Sequence, residues 1–125
     1  MSAAKKILVV DDDPGVQFVV KKRLKKAGFE CESALTVEEG LRLLKTKRPD
    51  LIILDLGFAG VDGADFLQSV KAWMGPGVSV PPIIVMSCYN EKDIVDYVID
   101  LGASDFIAKP YDPSDLVSTV SQYVS

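Results

Sequence analysis

The chain has 125 residues, a length typical of one domain with its own core. Its formal net charge of −4 argues against direct nucleic-acid binding by this domain, and the absence of histidine excludes histidine catalysis, histidine metal ligands and phosphohistidine on this chain. No apolar run reaches the ~20 residues of a membrane helix, and the start lacks a signal peptide's apolar stretch, so we expect a cytoplasmic protein that does not bind membranes.

The first part of the chain predicts two strand–helix units. The apolar segment Lys5–Val10 predicts a buried strand, and Asp13 followed by Pro14 predicts the N-cap and first turn of a helix. That helix ends in several cations before a glycine, a pattern typical of a helix C-terminus. Phe29–Ala34 predicts an edge strand, and the capping box Thr36–Glu39 predicts the start of a second helix.

The rest of the chain continues this alternation. The predicted elements, in chain order, are a strand at Leu51–Leu54, a helix at Ala64–Met74, a strand at Ile83–Met86, a helix from its cap Asn90 to Gly102, an edge strand at Asp105–Ala108 and a helix capped by Asp112. Continuously apolar strands are typical of a parallel sheet covered on both faces. Five strands alternating with five helices therefore predict a doubly wound α/β fold.

Polar side chains follow the predicted strands at the point where each strand ends. Right-handed crossovers bring these ends to one edge of a parallel sheet, where ligands bind in this class of fold. The side chains expected there are Asp11, Asp12, Asp55, Ser87 and Lys109. Two carboxylates ~5 Å apart repel by roughly 3 kcal/mol at an effective dielectric of about 20, so the pattern favours a bound divalent cation. Ligands that are all oxygen favour Mg²⁺ or Mn²⁺.

The chemistry expected of this group is phosphoryl transfer to a carboxylate. Asp55, at the centre, would be the nucleophile that forms an acyl phosphate, with its charge neutralised by the cation and by Lys109. Ser87 would donate a hydrogen bond to one phosphoryl oxygen. The glycine-rich segment after Asp55 would offer a backbone carbonyl, that of Gly57, to the metal.

Four sequence blocks resemble, in order and spacing, the signature blocks of two-component response-regulator receiver domains. They are ILVVDDDP, LIILDLGFAGVDG, IIVMSCYNE and DFIAKPYD. The resemblance covers essentially the whole chain, residues 1–125, as one receiver domain similar to the chemotaxis-type single-domain regulators. It implies a (βα)5 flavodoxin-like fold with a five-stranded parallel sheet in the order 2-1-3-4-5.

The resemblance implies a role for each residue that matches a family position. These are Asp55 as phosphoacceptor, Asp11 and Asp12 as the acidic pair that holds Mg²⁺, Ser87 as the switch hydroxyl, Lys109 as the phosphate-contacting lysine before a cis-Pro110, and Phe106 as the switch aromatic. It further implies a partner histidine kinase or histidine phosphotransfer protein as phosphoryl donor. The domain would be a phosphoacceptor regulator that catalyses only its own phosphorylation and dephosphorylation.

Five residues are of note where the family pattern varies. Ala59 stands where the family usually has proline, and Cys88 replaces a smaller residue beside the phosphate entry path. Phe106 lacks the hydroxyl of the more familiar tyrosine. Gly57 and Tyr89 occupy variable positions linked to the lifetime of the phosphoryl group, and their opposing effects leave the net lifetime open.

Two alternative functions stay open at this point. One is a degenerate receiver that acts only as a binding module. The other is a small Mg²⁺-dependent aspartyl phosphohydrolase of the haloacid-dehalogenase type, which is disfavoured because Gly57 stands where that class carries a second aspartate. The sequence also leaves open whether the domain stands alone or is part of a larger regulator.

The predicted fourth helix carries more apolar residues than one buried stripe requires. Val95, Tyr97 and Ile99 lie beside its core positions and widen the apolar arc. Either the helix is well covered, or this surplus binds a downstream protein or a second copy of the domain. The second interpretation places the output surface on the fourth helix, fifth strand and fifth helix.

The two cysteines, Cys31 and Cys88, are isolated in the sequence and predict reduced, buried thiols. With the strand order implied by the resemblance, they lie three strand spacings apart, about 14 Å. Bridged cysteines have Cα atoms within roughly 7 Å, so no internal disulfide is expected.

Overall fold

The computed structural model describes residues 4–56, 61–73, 80–89 and 91–124. Within them, five strands and five helices alternate along the chain. They are β1 (Lys6–Val10), α1 (Pro14–Lys26), β2 (Glu30–Ala34), α2 (Val37–Lys47), β3 (Leu51–Asp55), α3 (Val61–Trp73), β4 (Ile83–Ser87), α4 (Lys92–Asp100), β5 (Asp105–Ala108) and α5 (Pro113–Tyr123). The strands pair in parallel in the order β2-β1-β3-β4-β5, which confirms the predicted doubly wound fold.

The sheet has an apolar core on each face, because successive side chains of a strand point to opposite sides. Leu8 and Val10 of β1 belong to the core that also contains buried residues of α2, α3 and α4. Ile7 and Val9 belong to the other core, which α1 and α5 complete. This two-sided burial explains why the central strands are continuously apolar rather than alternating.

Two predicted side-chain caps are confirmed, at α1 and α2, whereas Asp112 is at the N-cap of α5 but makes no side-chain cap hydrogen bond. The Asp13 side chain accepts hydrogen bonds from the backbone N–H groups of Gly15 and Val16 at the start of α1. At the start of α2, Thr36 Oγ1 accepts from the N–H of Glu39 at 3.0 Å. These caps fix α1 and α2 directly after the ends of β1 and β2, and they thereby shape the loops at the carboxyl edge of the sheet.

Two predicted helix boundaries were wrong by a few residues. Helix α3 begins at Val61, three residues before the predicted start at Ala64, because the glycine in its first turn does not end the helix. Helix α4 begins at Lys92, with Glu91 at the N-cap and without a side-chain cap. The predicted cap, Asn90, lies outside the described residues.

Strand boundaries differ from the prediction mainly where they meet other elements. Strand β2 begins at Glu30 rather than Phe29, because the Phe29 N–H still donates to the Leu24 carbonyl at the end of α1. Strands β3 and β4 each extend one residue further than predicted and so include Asp55 and Ser87. Two predicted site residues are therefore part of the sheet itself.

No helix in the described parts of the chain combines the length and apolar character needed to span a bilayer.

Helix α2 approaches the sheet closely at Gly40. A Cβ atom built there would lie 2.9 Å from the Phe66 ring and 3.2 Å from a methyl group of Val10. Gly40→Ala should therefore lower the free energy of unfolding by about 1–3 kcal/mol, because overpacking outweighs the gain in helix propensity. Urea denaturation measures the change. Arg42→Ala, at an exposed position of the same helix, is the control; an alanine at position 40 that stabilised the protein would contradict this packing.

Candidate functional site

The strand register places the predicted site residues side by side at the carboxyl edge. Val10 pairs with Leu54, so the residues that follow them, Asp11 and Asp55, lie at adjacent strand ends. On the other side, Ser87 pairs with Ala108, the residue before Lys109. The Lys109 N–H also donates to the Ser87 carbonyl at 2.9 Å, so the β4–β5 ladder continues into the site.

Asp55 and Lys109 form a largely buried ion pair. Lys109 Nζ donates to Asp55 Oδ2, and the side chains are 22% and 2% exposed for the lysine and the aspartate respectively. Burial lowers the pKa of Lys109, but the hydrogen bond and charge of Asp55, together with the charge of Asp11, outweigh it and raise the pKa above its usual value. The lysine therefore stays cationic and compensates a carboxylate that water barely reaches.

Asp11 is the second buried carboxyl group of the site. Its Oδ1 accepts from the Asp13 N–H at 3.0 Å, whereas its Oδ2 is buried without a donor. Burial raises the pKa of Asp11 to about 7; the Asp13 N–H opposes this rise, the nearby Asp55 carboxylate adds to it, and Lys109 opposes it. When Asp11 is protonated, its proton could form a hydrogen bond to Asp55. When both groups are ionised, Oδ2 of Asp11 needs a positive partner.

Asp12 lies apart from this pair. Its side chain is exposed and borders a groove of about 880 Å³ between α2 and α3. Among the described residues, no group of three or more acidic or thiol side chains converges closely enough to hold a metal. The structure thus brings together Asp11, Asp55 and Lys109, and it leaves the predicted third carboxylate at the rim.

Ser87 and the two residues after it form the β4 side of the site. Ser87 is buried, and its Oγ accepts from the Tyr89 N–H at 3.0 Å, so the hydroxyl can still donate its own proton. Cys88 and Tyr89 are exposed. The expectation of a buried thiol was therefore wrong for Cys88, because the chain has already left the sheet there; Cys31 is half-buried, and both cysteines are free.

Of the remaining predicted residues, Phe106 and Pro110 lie in the described part of the chain. Phe106 is half-buried and packs against the core shared by α2, α3 and α4. The Lys109–Pro110 peptide bond is cis, as the resemblance implies. Gly57 and Ala59 lie outside the described residues.

Sequence reasoning missed one residue of this edge, Gln17 of α1. Its side-chain amide is buried and donates to the carbonyls of Val9, Asp11 and Ala34, at 2.8, 3.2 and 2.9 Å. The available signal was its position, since Gln17 lies three residues before Val20, on the apolar face of α1. A polar residue in a buried stripe indicates a specific hydrogen-bonding task.

The donor chemistry of the site fits a hard divalent cation. Asp11 Oδ2 is an unpartnered buried oxygen, and the Asp55 carboxylate lies beside it. Mg²⁺ is commonly held by one or two carboxylates and retains several waters, so two side chains suffice for such a site. Asp12 and the Gly57 carbonyl stay predicted further ligands.

An open parallel α/β sheet with a lysine-paired carboxylate at its carboxyl edge defines the class: a doubly wound protein with an acidic ligand site. The chain matches the family model of the response regulator receiver domain over residues 7–121, and it belongs to that family.

Curated relatives and solved structures agree with this assignment. The chain is 31% identical over 119 residues to sporulation initiation phosphotransferase F of Bacillus subtilis, covering 95% of this chain and 93% of that protein. It is 33% identical over 110 residues to the KDP operon transcriptional regulatory protein KdpE of Escherichia coli, covering 88% of this chain but only 47% of that protein. The chain thus spans about half the length of the KdpE regulator.

The fold is also that of chemotaxis response regulators. The structure of the chemotaxis protein CheY4 of Vibrio cholerae superimposes with a TM-score of 0.87 at 26% sequence identity, over 98% of this chain and 100% of that one. The likeness covers all five strand–helix units and so confirms the flavodoxin-like fold that the resemblance implied.

The raised pKa of Asp11 predicts a pH-dependent stability. In the folded protein the pKa of Asp11 is about 7, whereas in the unfolded chain this carboxyl group has its ordinary pKa of 3.8. As the pH rises through this window, the free energy of unfolding of the metal-free wild type should fall relative to that of Asp11→Asn, by at most about 1.4 kcal/mol per pH unit. Urea denaturation at several pH values measures the difference.

Saturating Mg²⁺ is the control for this pH effect. The cation should offset the loss of stability in the wild type, because it stabilises the ionised form of Asp11. Parallel pH profiles for the metal-free wild type and the Asn variant would contradict the assignment.

Proposed function

We propose that this receiver domain accepts a phosphoryl group on Asp55 and transmits the change to a protein-binding surface. The observation that carries the proposal is the buried Asp55 carboxylate, paired with Lys109 and adjacent to Asp11. When both carboxyl groups are ionised, the Lys109 ammonium group balances one of them, and the described residues show no cation paired with the other. With a divalent cation and a phosphoryl group both bound, the positive and negative charges of the site would be balanced.

The donor would be the phosphohistidine of a partner histidine kinase or histidine phosphotransfer protein, because this chain has no histidine. An Asp55 oxygen attacks the phosphorus atom, the P–N bond breaks, and its electron pair returns to the donor imidazole, leaving an acyl phosphate on Asp55. Mg²⁺ or Mn²⁺, held by Asp11 and Asp55 with Asp12 and the Gly57 carbonyl as predicted further ligands, would supply positive charge next to the transferring group.

The side chains of the site have separate tasks in this reaction. Lys109 balances Asp55 before transfer and can then follow the negative charge to a phosphoryl oxygen. Ser87 keeps a hydroxyl proton with which it can donate to another of these oxygens. Cys88 and Tyr89, both exposed after β4, would border the path by which the donor and hydrolytic water arrive.

The output would pass from Ser87 and Phe106 to the surface formed by α4, β5 and α5. Phe106 lies on β5 and is half-buried, and its ring would move toward the core when Ser87 turns to the phosphoryl group. The domain would act as a phosphoacceptor regulator in the cytoplasm rather than as an enzyme on another substrate. Phosphotransfer is consistent with the name of the Bacillus subtilis relative.

The acceptor assignment predicts a single modified residue. Incubation with acetyl phosphate and Mg²⁺ should add one phosphoryl group to the wild type and none to Asp55→Asn, because the amide is not a competent nucleophile. Intact-mass spectrometry measures the adduct. Asp65→Asn, which alters an exposed carboxylate on α3, is the matched control and should be modified like the wild type.

Equal modification of the Asp55→Asn variant would overturn the acceptor assignment. Failure of the wild type to take up any phosphoryl group would instead favour the alternative of a receiver that serves only as a binding module.

The output assignment predicts self-association through α4. Tyr97 and Ile99 of this helix are exposed apolar residues, whereas Val98 between them is buried in the core. Beryllofluoride, a phosphate mimic, should strengthen dimerisation of the wild type in the presence of Mg²⁺. Ile99→Lys should weaken it about tenfold, or about 1.4 kcal/mol, because it places a charge in the contact.

Val19→Lys is the matched control for this surface. Val19 is 44% exposed and Ile99 is 41% exposed, but Val19 lies on α1, on the opposite face of the sheet. Analytical ultracentrifugation compares the three proteins. The dimer version of the proposal is wrong if the mimic leaves the wild type monomeric, or if both lysine variants dissociate equally.

A further inference from the structure

Gln17 is a buried polar residue whose side chain is hydrogen-bonded directly to the backbone of Asp11. It is 4% exposed, and its Nε2 donates to three carbonyls at the ends of β1 and β2. One of these carbonyls belongs to Asp11 itself, and another, that of Ala34, also accepts from the Asp11 N–H at 3.0 Å. The amide of Gln17 thus ties the backbone on both sides of Asp11 to helix α1.

The ties matter because Asp11 is held in an unfavourable place. Its carboxyl group lies beside the Asp55 carboxylate, and its Oδ2 has no donor. Like charges at a buried site repel, so a loosely held Asp11 would turn outward, as the exposed Asp12 does. The Asp13 N–H holds one oxygen of the Asp11 side chain, whereas Gln17 holds the backbone around Asp11.

We propose that Gln17 is a positioning residue that keeps Asp11 beside Asp55 in the metal-free protein and so prepares the site for a divalent cation. This inference rests on the proposed function for the role of the cation. Gln17 does not contact the cation or the reacting atoms; it acts through the Asp11 backbone. A cation binds more tightly to a site whose carboxyl groups are already in place, because cation binding then does not have to bring mutually repelling groups together.

The chemistry of the glutamine suits this task. A neutral amide supplies two N–H donors for the carbonyls and, unlike lysine or arginine, adds no positive charge that would compete with the cation. Its own Oε1 is buried without a donor, so the side chain leaves one of its own polar atoms unsatisfied. Such a cost is expected where a polar core residue serves function rather than stability.

The test compares Gln17→Met with Val20→Ala. Methionine has a similar size and no donor, whereas Val20 is a fully buried residue on the same face of α1 whose truncation leaves a cavity but keeps the Gln17 contacts. Amide hydrogen exchange of Asp11 is measured by NMR in the metal-free proteins. We expect at least tenfold faster exchange in the methionine variant, beyond the general change in α1, and no such excess in the alanine variant.

Calorimetric titration with MgCl₂ gives the second readout. We expect Gln17→Met to raise the Mg²⁺ dissociation constant about tenfold, while Val20→Ala leaves it within about twofold even if it lowers stability more. Equal changes in both variants, or an unchanged Asp11 exchange rate and Mg²⁺ affinity in the methionine variant, would overturn the proposal.

Two outcomes separate this inference from the proposed function. A wild type that takes up no Mg²⁺ at millimolar concentration would refute the cation site, while the exchange measurement would still decide whether Gln17 holds Asp11. If Gln17→Met does not fold, Gln17→Asn replaces it, because its amide is one methylene too short to reach the three carbonyls and the same two outcomes are expected.

Discussion

The proximity of two buried carboxyl groups, Asp11 and Asp55, is the constraint on which the rest of this site depends. Burial and the nearby Asp55 carboxylate both oppose ionisation of Asp11, so an ionised Asp11 needs a positive partner at this edge of the sheet. The ammonium group of Lys109 balances one carboxylate. In the proposed function, a divalent cation would balance the second carboxylate and part of the charge of the phosphoryl group.

The fold keeps the two carboxyl groups close together, because Asp55 lies within a strand and Asp11 directly follows one. Asp55 is the last residue of β3, the middle strand of the sheet. The side chains of this strand are buried on both faces of the sheet. Asp11 follows β1 directly and is held by hydrogen bonds from the loop and from α1. These contacts keep the two carboxyl groups adjacent, and proton uptake by Asp11 relieves their repulsion in the absence of a cation.

The sequence was sufficient to predict the fold because the periodicity of the strands and the caps of the helices are local signals. The strand–helix alternation and the meeting of Asp11, Asp55 and Lys109 at one edge follow from these signals, whereas the strand order was implied by the family resemblance. Gln17 was missed because its importance arises from three carbonyls that come together only in the folded chain. The exposure of Asp12 and Cys88 likewise depends on where a loop leaves the sheet, which composition does not encode.

The Lys109 N–H donates a hydrogen bond to the Ser87 carbonyl. The two residues to which the proposed function assigns the phosphoryl oxygens are therefore joined in one backbone ladder. Strand β5 ends the sheet and pairs only with β4, so it meets less resistance to sliding or tilting than the central strands. In the proposed function, a rearrangement at Ser87 would reach β5, an edge strand, through this ladder. The molecule can then change its outer face while its core keeps its shape.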